Sequence, residues 1–594
     1  MRFLPAGDSA LLVELPDLAH AMALHRALRA RPIAGVLEVV PAARTLLLTC
    51  QHGAVALPAL AAALRARAAE AVADTGAAQA VLPGRLVEIP VRYDGEDLPE
   101  VAERLGISVQ EVIARHTGQP WQAAFAGFAP GFVYLAGGHP CFQLPRRSAP
   151  RTRVPAGAVA LAGGFSAVYP AASPGGWQLI GVTGVPMWDM RRTEPAYVQP
   201  GFRVQFRDAC APGVHISLPV CQESEGVNES GVPEQAAQTC AIKAQSAAIA
   251  RAMASICNAE GVRFCGMSGH GGFVHTFSEP NQAPAPVDKA QAAIEVVAPG
   301  VQTLVQDGGR HGMAGLGIAP SGALDAPSMR AANRLVGNPV DACVLESLPG
   351  GLQLRCHGRA TLAVTGAAVP LTLHAADGRA WPVPSHACVA LDDGDTLAFG
   401  TPRAGVRSYV AVRGGWQVAL VLGSCATDTL AHIGPPALQA GQRLAVGAVP
   451  AAALQATQAA EAPPPWPRAG DEVVLDVVLG PRTDWFTPEA LARLARQPWR
   501  VTPQSNRVGM RLEGAQPLPR SRTDELPSEG TVHGAIQVPA NGQPVLFLAD
   551  HPLTGGYPVI GAVASRHLGL AAQIPVGCSV RFNVIAPFFE EVFG

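Results

Sequence analysis

Lysine is almost missing from this chain. Of its 44 basic residues only Lys243 and Lys289 are lysines, and the other 42 are arginines. That excludes a phosphate-binding loop ending in Gly-Lys-Ser/Thr and a Schiff-base lysine outside the middle of the chain. No lysine stands between methionines as a biotin acceptor would, so no biotin is expected here. Charge of one sign is lacking as well. With a net charge of −2 and no basic stripe, neither nucleic acid nor a membrane surface is the expected partner, and a small-molecule substrate is. Asp8 and Glu14 interrupt the first apolar run before signal-peptide length, and no run is long enough to span a bilayer. The 12 cysteines contain no Cys-x-x-Cys pair, which predicts a reduced, cytoplasmic protein. Aromatic residues are 5% of the chain, whereas 54 prolines and 63 glycines close many short runs, a pattern that favours strands and turns over long helices.

What is present is a repeat. VPAGAVALAGGFSAVYPAASPGGWQLIG ends at Gly181 and is echoed by VPANGQPVLFLADHPLTGGYPVIG ending at Gly561. Both start with Val-Pro-Ala and arrive at Gly-Gly-aromatic followed by Ile-Gly, as two related supersecondary units with different loop lengths do. Gly175-Gly176 and Gly555-Gly556, the latter followed by Tyr557, are expected to take positive φ and turn amides into an anion-binding concavity; a tight loop without a ligand is the plain alternative.

Taken in order, residues 1–85 read as a small α+β domain, with strands at Leu11–Leu15 and Thr45–Thr49 and helices near 18–30 and 55–69. Residues 86–210 read as a β-barrel, preceded inside by a helix that Ser108 and Glu111 cap and Gly118 ends. His116 falls in its last turn, where the helix dipole favours the imidazolium, so it is a candidate general acid, or only a cap for the carbonyls. Arg146, Arg147 and Arg151 put three guanidiniums beside the first Gly-Gly loop, suited to carboxylate or phosphate unless they form a solvated face. Residues 211–292 read as a linker with a docking helix at 234–257; Cys257, Cys265, His270 and His275 fit no zinc spacing, and no metal site is assigned. A first β domain at 293–465 opens with a glycine-rich stretch holding Asp307, Arg310, Ser321 and Asp325, and a second barrel fills 466–594. Glu346, Glu529 and Asp550 recur at loop ends; Glu529 and Asp550 are candidate catalytic carboxylates, able to polarise water or hold Mg2+, or else turn residues.

These stretches resemble a known pair of families. GDSALLVEL, IPVRYDGEDLPEVAERLG, GFAPGFVYLAGG, PRRSAPRTRVPAG and SPGGWQLIG resemble the B-type subunit of 5-oxoprolinase, also called allophanate hydrolase subunit 1 and related to a kinase-inhibitor family. VQDGGRHG, SGALD, ANRLVGN, SNRVGMRLEG, LPSEGTVHGAIQVPANGQP and TGGYPVIG resemble the C-type subunit, or allophanate hydrolase subunit 2, and add Asn506 and Arg507 to the anion-facing candidates. The resemblance implies a mainly β fold: a small α+β N-terminal domain and tandem cyclophilin-like barrels in two related halves. It also implies a hydrolase component that works with a separate A-type subunit and ATP, with Mg2+ a candidate, opening 5-oxoproline to glutamate. The same pair is similar to the carboxyltransferase region of urea carboxylase and urea amidolyase, and a non-catalytic regulatory module is a further alternative; a homo-oligomer is left open. The chain departs from the family at Phe165-Ser166, where Gln-Thr is usual, at Val182, where Arg is usual, and at Cys425-Ala426, where Arg-Ser is usual.

Overall fold

The computed structural model describes residues 1–51, 53–75, 84–147, 149–211, 292–447, 459, 460, 462 and 464–586. The docking helix expected at 234–257 lies outside them. The described residues fall into two compact units, one drawn from 1–77, 281–314 and 318–594, the other from 78–280 and 315–317. The N-terminal domain therefore belongs to one compact unit with the second half of the chain.

The reason is a sheet that is apolar on both faces. Strands Arg2–Pro5, Ala10–Glu14, Val36–Pro41 and Thr45–Cys50 form four antiparallel neighbours, and successive side chains alternate between the two sides. Phe3, Leu11, Val13, Leu46 and Leu48 share a core with Leu24, Leu60 and Leu64 of the helices Leu18–Ala30 and Leu57–Thr75. Leu4, Leu12, Val40 and Leu47 form the other face, buried with Ala314 and Leu553. A lone α/β layer would leave that second face wet; the second half covers it.

The other unit is a barrel of seven strands: β1 (Leu86–Val91), β2 (Trp121–Ala126), β3 (Val133–Ala136), β4 (Ala158–Ala162), β5 (Phe165–Val168), β6 (Gln178–Val182) and β7 (Arg203–Asp208). They neighbour one another in the order β6-β4-β5-β3-β2-β7-β1. Reciprocal 2.9 Å hydrogen bonds between the backbones of Arg92 and Val182 join the two edges. Val182 thus closes the ring through its backbone, whatever its side chain. The expected helix is Val109–Thr117; Ser108 Oγ accepts Glu111 N at 3.1 Å, while the Glu111 carboxylate turns to Arg115.

The first unit holds a second barrel: β8 (Glu472–Leu479), β9 (Trp499–Val501), β10 (Gly509–Glu513), β11 (Ala535–Gln537), β12 (Val545–Phe547), β13 (Val559–Val563) and β14 (Ser579–Ala586). Its closed order, β13-β11-β12-β10-β9-β14-β8, repeats the first strand for strand. The parallel pair falls in the same place, β7 on β1 and β14 on β8. In each barrel a fully buried tryptophan opens the second strand and donates Nε1 to a carbonyl five residues earlier, Trp121 to His116 and Trp499 to Leu494, both at 3.0 Å. Gly95 N bonds Ile180 O as Gly480 N bonds Ile560 O, so the Gly-Gly-x-x-x-Ile-Gly ends of the repeat are equivalent. The Val-Pro-Ala starts are not: Val154 ends the strand before β4, whereas Val538 follows β11.

Residues 293–446 form a six-stranded and a five-stranded sheet that share a core of Ile294, Leu345, Leu354, Val364 and Val410. Helix Ala326–Val336 lays Met329, Ala332 and Leu335 on Val344, Ala363 and Ala411. Among the described residues all eight cysteines are free, and no helix is long and apolar enough to cross a membrane.

Candidate functional site

Within the first unit, buried charges converge where the sandwich meets the second barrel. Asn506 Oδ1 accepts Val508 N and Gly509 N at 2.9 and 3.2 Å, a side-chain turn that leaves Asn506 exposed and directs Arg507 inward. Asn506, expected to face an anion, instead builds the turn. Arg507 Nε and Nη2 grip the two oxygens of Asp550 at 3.0 and 2.9 Å, Nη2 also reaches Gly322 O at 2.7 Å, and Nη1 bonds Glu346. Asp550 further accepts Ser321 Oγ at 2.6 Å and the amide and hydroxyl of Thr429 at 2.9 and 2.7 Å. Burial pushes its carboxyl up, but Arg507 and these donors hold it below the usual range. Five hydrogen bonds occupy the lone pairs a base would need. The geometry makes Asp550 the anchor of Arg507.

Beside this pair lies a less complete one. Asp307 accepts Gly309 N at 2.8 Å, Ser424 Oγ at 2.6 Å and Cys425 N at 2.8 Å, tying the QDGGR turn to the loop that departs from the family. Arg310 Nη2 donates to Ala426 O at 2.6 Å and Nε to Val421 O at 3.3 Å, yet its buried Nη1 has no hydrogen-bond partner among the described residues. Asp428 is buried and accepts Leu430 N and Ala431 N on Oδ1 at 2.9 and 2.8 Å. Burial first, and the Asp550 charge second, push its carboxyl up to about 6 against the pull of the amides and Arg310. His533 is driven down to about 3 by burial, then by His551 and Arg507, and its Nε2 has no partner among the described residues. A guanidinium with an unengaged donor, a carboxyl titrating near neutrality and a neutral imidazole form a set able to stabilise a developing anion and move a proton. Asp428 and His533 were not singled out from sequence. His533 sits inside the family-like GTVHGAIQ run, so the resemblance carried a signal for it; Asp428 had none. Asp325 is the N-cap of helix Ala326–Val336, accepting Ser328 N at 3.0 Å and Gln573 Nε2 at 2.8 Å, and burial raises its carboxyl.

The two Gly-Gly corners are a matched pair with opposite charges. In the first barrel Asp97 N bonds Leu179 O, and Arg151 is register partner to Gly175. In the second, Arg482 N bonds Val559 O, and Glu529 is register partner to Gly555. Asp97 thus stands where Arg482 does, and Arg151 where Glu529 does. Asp97 Oδ1 receives Arg147 and Arg151, each at 2.7 Å, and Oδ2 receives Leu179 N at 2.7 Å. Buried Glu529 takes Arg482 Nε at 2.9 and 3.0 Å and its Nη2, while Arg482 Nη1 reaches Glu14 at 3.2 Å. Burial raises the Glu529 carboxyl and Arg482 pulls it back. None of the four glycines has the positive φ expected of them. Gly175 and Gly555 are needed for close approach: a Cβ on Gly175 would lie 2.4 Å from Tyr169 Oη, and one on Gly555 2.6 Å from Gln537 Nε2. Arg146 lies near Tyr169, half-buried, and Tyr557 is covered by the Arg520 guanidinium at 5.6 Å.

His116 is not at a wet helix end. It is completely buried, bonded to Tyr93 Oη at 2.7 Å and Ser166 Oγ at 2.9 Å and stacked on Phe206. Burial drives it down to about 3, so the imidazolium that the helix dipole would favour does not form near neutral pH. Ser166 keeps a hydroxyl against that ring, and Phe165 packs edge-on against Phe125 and Tyr134.

Residues 1–198 match the carboxyltransferase domain, subdomain C and D, and residues 316–584 the carboxyltransferase domain, subdomain A and B. Over 293 residues the chain is 37% identical to the C-type subunit of 5-oxoprolinase from Escherichia coli K12, spanning 90% of that protein and 49% of this one. Over 125 residues, 20% of this chain, it is 44% identical to the B-type subunit of 5-oxoprolinase from Bacillus subtilis and spans 52% of it. It is 32% identical to the urea amidolyase of Saccharomyces cerevisiae over 49% of this chain, which spans 16% of that protein. The crystal structure of TTHA0988 superposes with a TM-score of 0.72 at 33% identity, covering 97% of this chain and 99% of that one. The barrels are accordingly cyclophilin-like, as in carboxyltransferase-type proteins.

Proposed function

Because the chain belongs through its second half to the family of C-type 5-oxoprolinase subunits, joined to a half similar to the B-type ones, we propose that it is a component of an ATP-dependent 5-oxoprolinase. It acts with a separate A-type subunit to open 5-oxoproline to glutamate. The observation that carries this reading is the pairing itself: counterparts of two separately named subunits of one enzyme are met by a single chain, with one barrel plan used twice.

Lactam opening is uphill unless coupled, and phosphorylating the amide oxygen makes the carbonyl electrophilic. Water then adds to that carbon, the ring C–N bond breaks as the nitrogen takes a proton to become the amino group, and a second water displaces phosphate from the resulting acyl phosphate to give glutamate. In this reading the free Nη1 of Arg310 faces the anion, and Asp428 takes the proton of the attacking water and returns it to the ring nitrogen. Among the described residues no group of three or more His, Cys, Asp or Glu is placed to hold a metal ion, and the lone pairs of Asp550 are already engaged. ATP and Mg2+ are therefore assigned to a site shared with the A-type subunit, and no step runs through them on this chain.

Purified chain, an A-type subunit, ATP and 5-oxoproline should together release phosphate and glutamate, with neither protein sufficient alone. Phosphate release that ignores 5-oxoproline would overturn the reading. A carboxyltransferase component of a urea amidolyase-type system is the second reading, favoured by the 32% identity to that enzyme; it requires a carboxylated biotin carrier and predicts no such phosphate release.

A further inference from the structure

The N-terminal sheet carries an irregularity in its edge strand, Val36–Pro41. Its register against Thr45–Cys50 slips: Val36 pairs with Cys50 and Glu38 with Thr49, so Leu37 is an extra residue. In a regular strand residues three apart point to opposite faces. Here Val36 and Val39 both pack on the core that the two helices cover, which the bulge makes possible. Glu38 then goes with Val40 to the face that meets Ala314.

What Glu38 meets there is backbone. Its Oε1 accepts Ala314 N at 2.9 Å. Burial raises the carboxyl, and the Ala314 amide, then His311 and the amides of Gly312 and Met313, pull it back. Glu14, on the same face of the sheet, has a cation instead, Arg482 Nη1 at 3.2 Å. A leucine at position 38 would serve packing better than a carboxylate taken out of water. The carboxylate serves the loop.

That loop carries Arg310. Before it, Asp307 is tied to Ser424 Oγ and Cys425 N, and Arg310 N itself donates to Pro320 O at 2.8 Å. After it, Gly312 takes a φ of +78° with no atom within 4 Å of where a Cβ would lie, so its own contacts do not fix the chain. Glu38 fixes it two residues later. We infer that Glu38 is a positioning residue for Arg310: a side chain of the B-type half holds the loop that aims the unengaged Nη1 in the C-type half. The consequence for turnover rests on the role proposed above for Arg310, whereas the positioning does not.

The test compares the full chain with Glu38→Leu, which keeps the bulk and loses the acceptor, and with Glu38→Gln, which keeps an amide oxygen for Ala314 N. Modification of arginines by phenylglyoxal, mapped by mass spectrometry, reads the loop without substrate. Buried Arg310 should react about tenfold faster in Glu38→Leu, while Arg507, also buried but gripped by Asp550, stays protected. Glu38→Gln should stay near the parent. With the A-type subunit, ATP and 5-oxoproline, Glu38→Leu should lose about tenfold in kcat with KM for 5-oxoproline changed less than about twofold, and Glu38→Gln should recover most of the rate. Arg310 as protected in Glu38→Leu as in the parent, or Arg310 and Arg507 exposed together, would overturn the inference. Arg310 released with kcat intact would support the positioning and contradict the catalytic role given to Arg310.

Discussion

The two barrels use one strand order and disagree about what to bury in it. At the Gly-Gly corner one places Asp97 against Arg151 and the other Arg482 against Glu529, the same two positions with the charges exchanged. At the tryptophan-capped helix one buries His116 in a string from Tyr93 to Ser166, and the other buries Leu494. Backbone pairing therefore fixes where side chains meet, while their chemistry is free provided that each buried charge keeps a partner.

Removing one partner should thus cost more than any change of residue type. The largest effect is expected for Arg507→Met, which leaves Asp550 and Glu346 buried without their shared cation; we expect a loss of about 3–5 kcal/mol in urea unfolding, and a loss below about 1 kcal/mol would break the argument. The corners sharpen the comparison. Glu529→Gln leaves buried Arg482 with only Glu14 and should cost about 3 kcal/mol, whereas Arg151→Gln leaves Asp97 with Arg147 and Leu179 N and should cost about 1 kcal/mol. Equal losses would mean that the corners are not balanced as described.

Acid tests the helix position. The His116 ring is held at about 3 in the fold against 6.5 unfolded, so the unfolded chain binds the proton first. Stability is intact above pH 6.5 and is lost as pH falls towards 3, by about 1.4 kcal/mol per pH unit. His116→Leu should remove that slope from the unfolding of the first barrel, at a neutral-pH cost of about 1–3 kcal/mol for stranding the Tyr93 and Ser166 hydroxyls. An unchanged acid slope would mean that other groups carry it.

Much of the architecture was legible. The capping residue Ser108 and the Gly-Gly-aromatic-x-x-Ile-Gly repeat are local signals, and local signals survive in a single sequence. The Val-Pro-Ala half of the repeat misled because three common residues recur by chance at strand ends. Packing of the N-terminal sheet on the second half was invisible, since an apolar run such as Ala10–Val13 shows that both faces are covered without showing by what. In the site, arginines and glycines stood out, and the structure gathers Asp307, Arg310, Arg507 and Asp550 in one region of the first unit. Roles did not follow from residue type: Asp325 became a cap, Asn506 a turn and His116 a core residue, because burial and partners decide them. Asp428 was hidden in an unremarkable loop, and only burial and the Asp550 charge beside it raise its carboxyl to about 6.

The account turns on that carboxyl. Glutamate formation from 5-oxoproline by the chain with its A-type subunit should be followed against pH for the parent and for Asp428→Asn, with circular dichroism to show that the variant is folded. If Asp428 takes the proton of the attacking water, the parent rate rises with pH through about 6, and Asp428→Asn loses about two orders of magnitude in rate together with that limb. A folded Asp428→Asn variant that keeps both the rate and the limb would contradict the assignment of chemistry to this cluster.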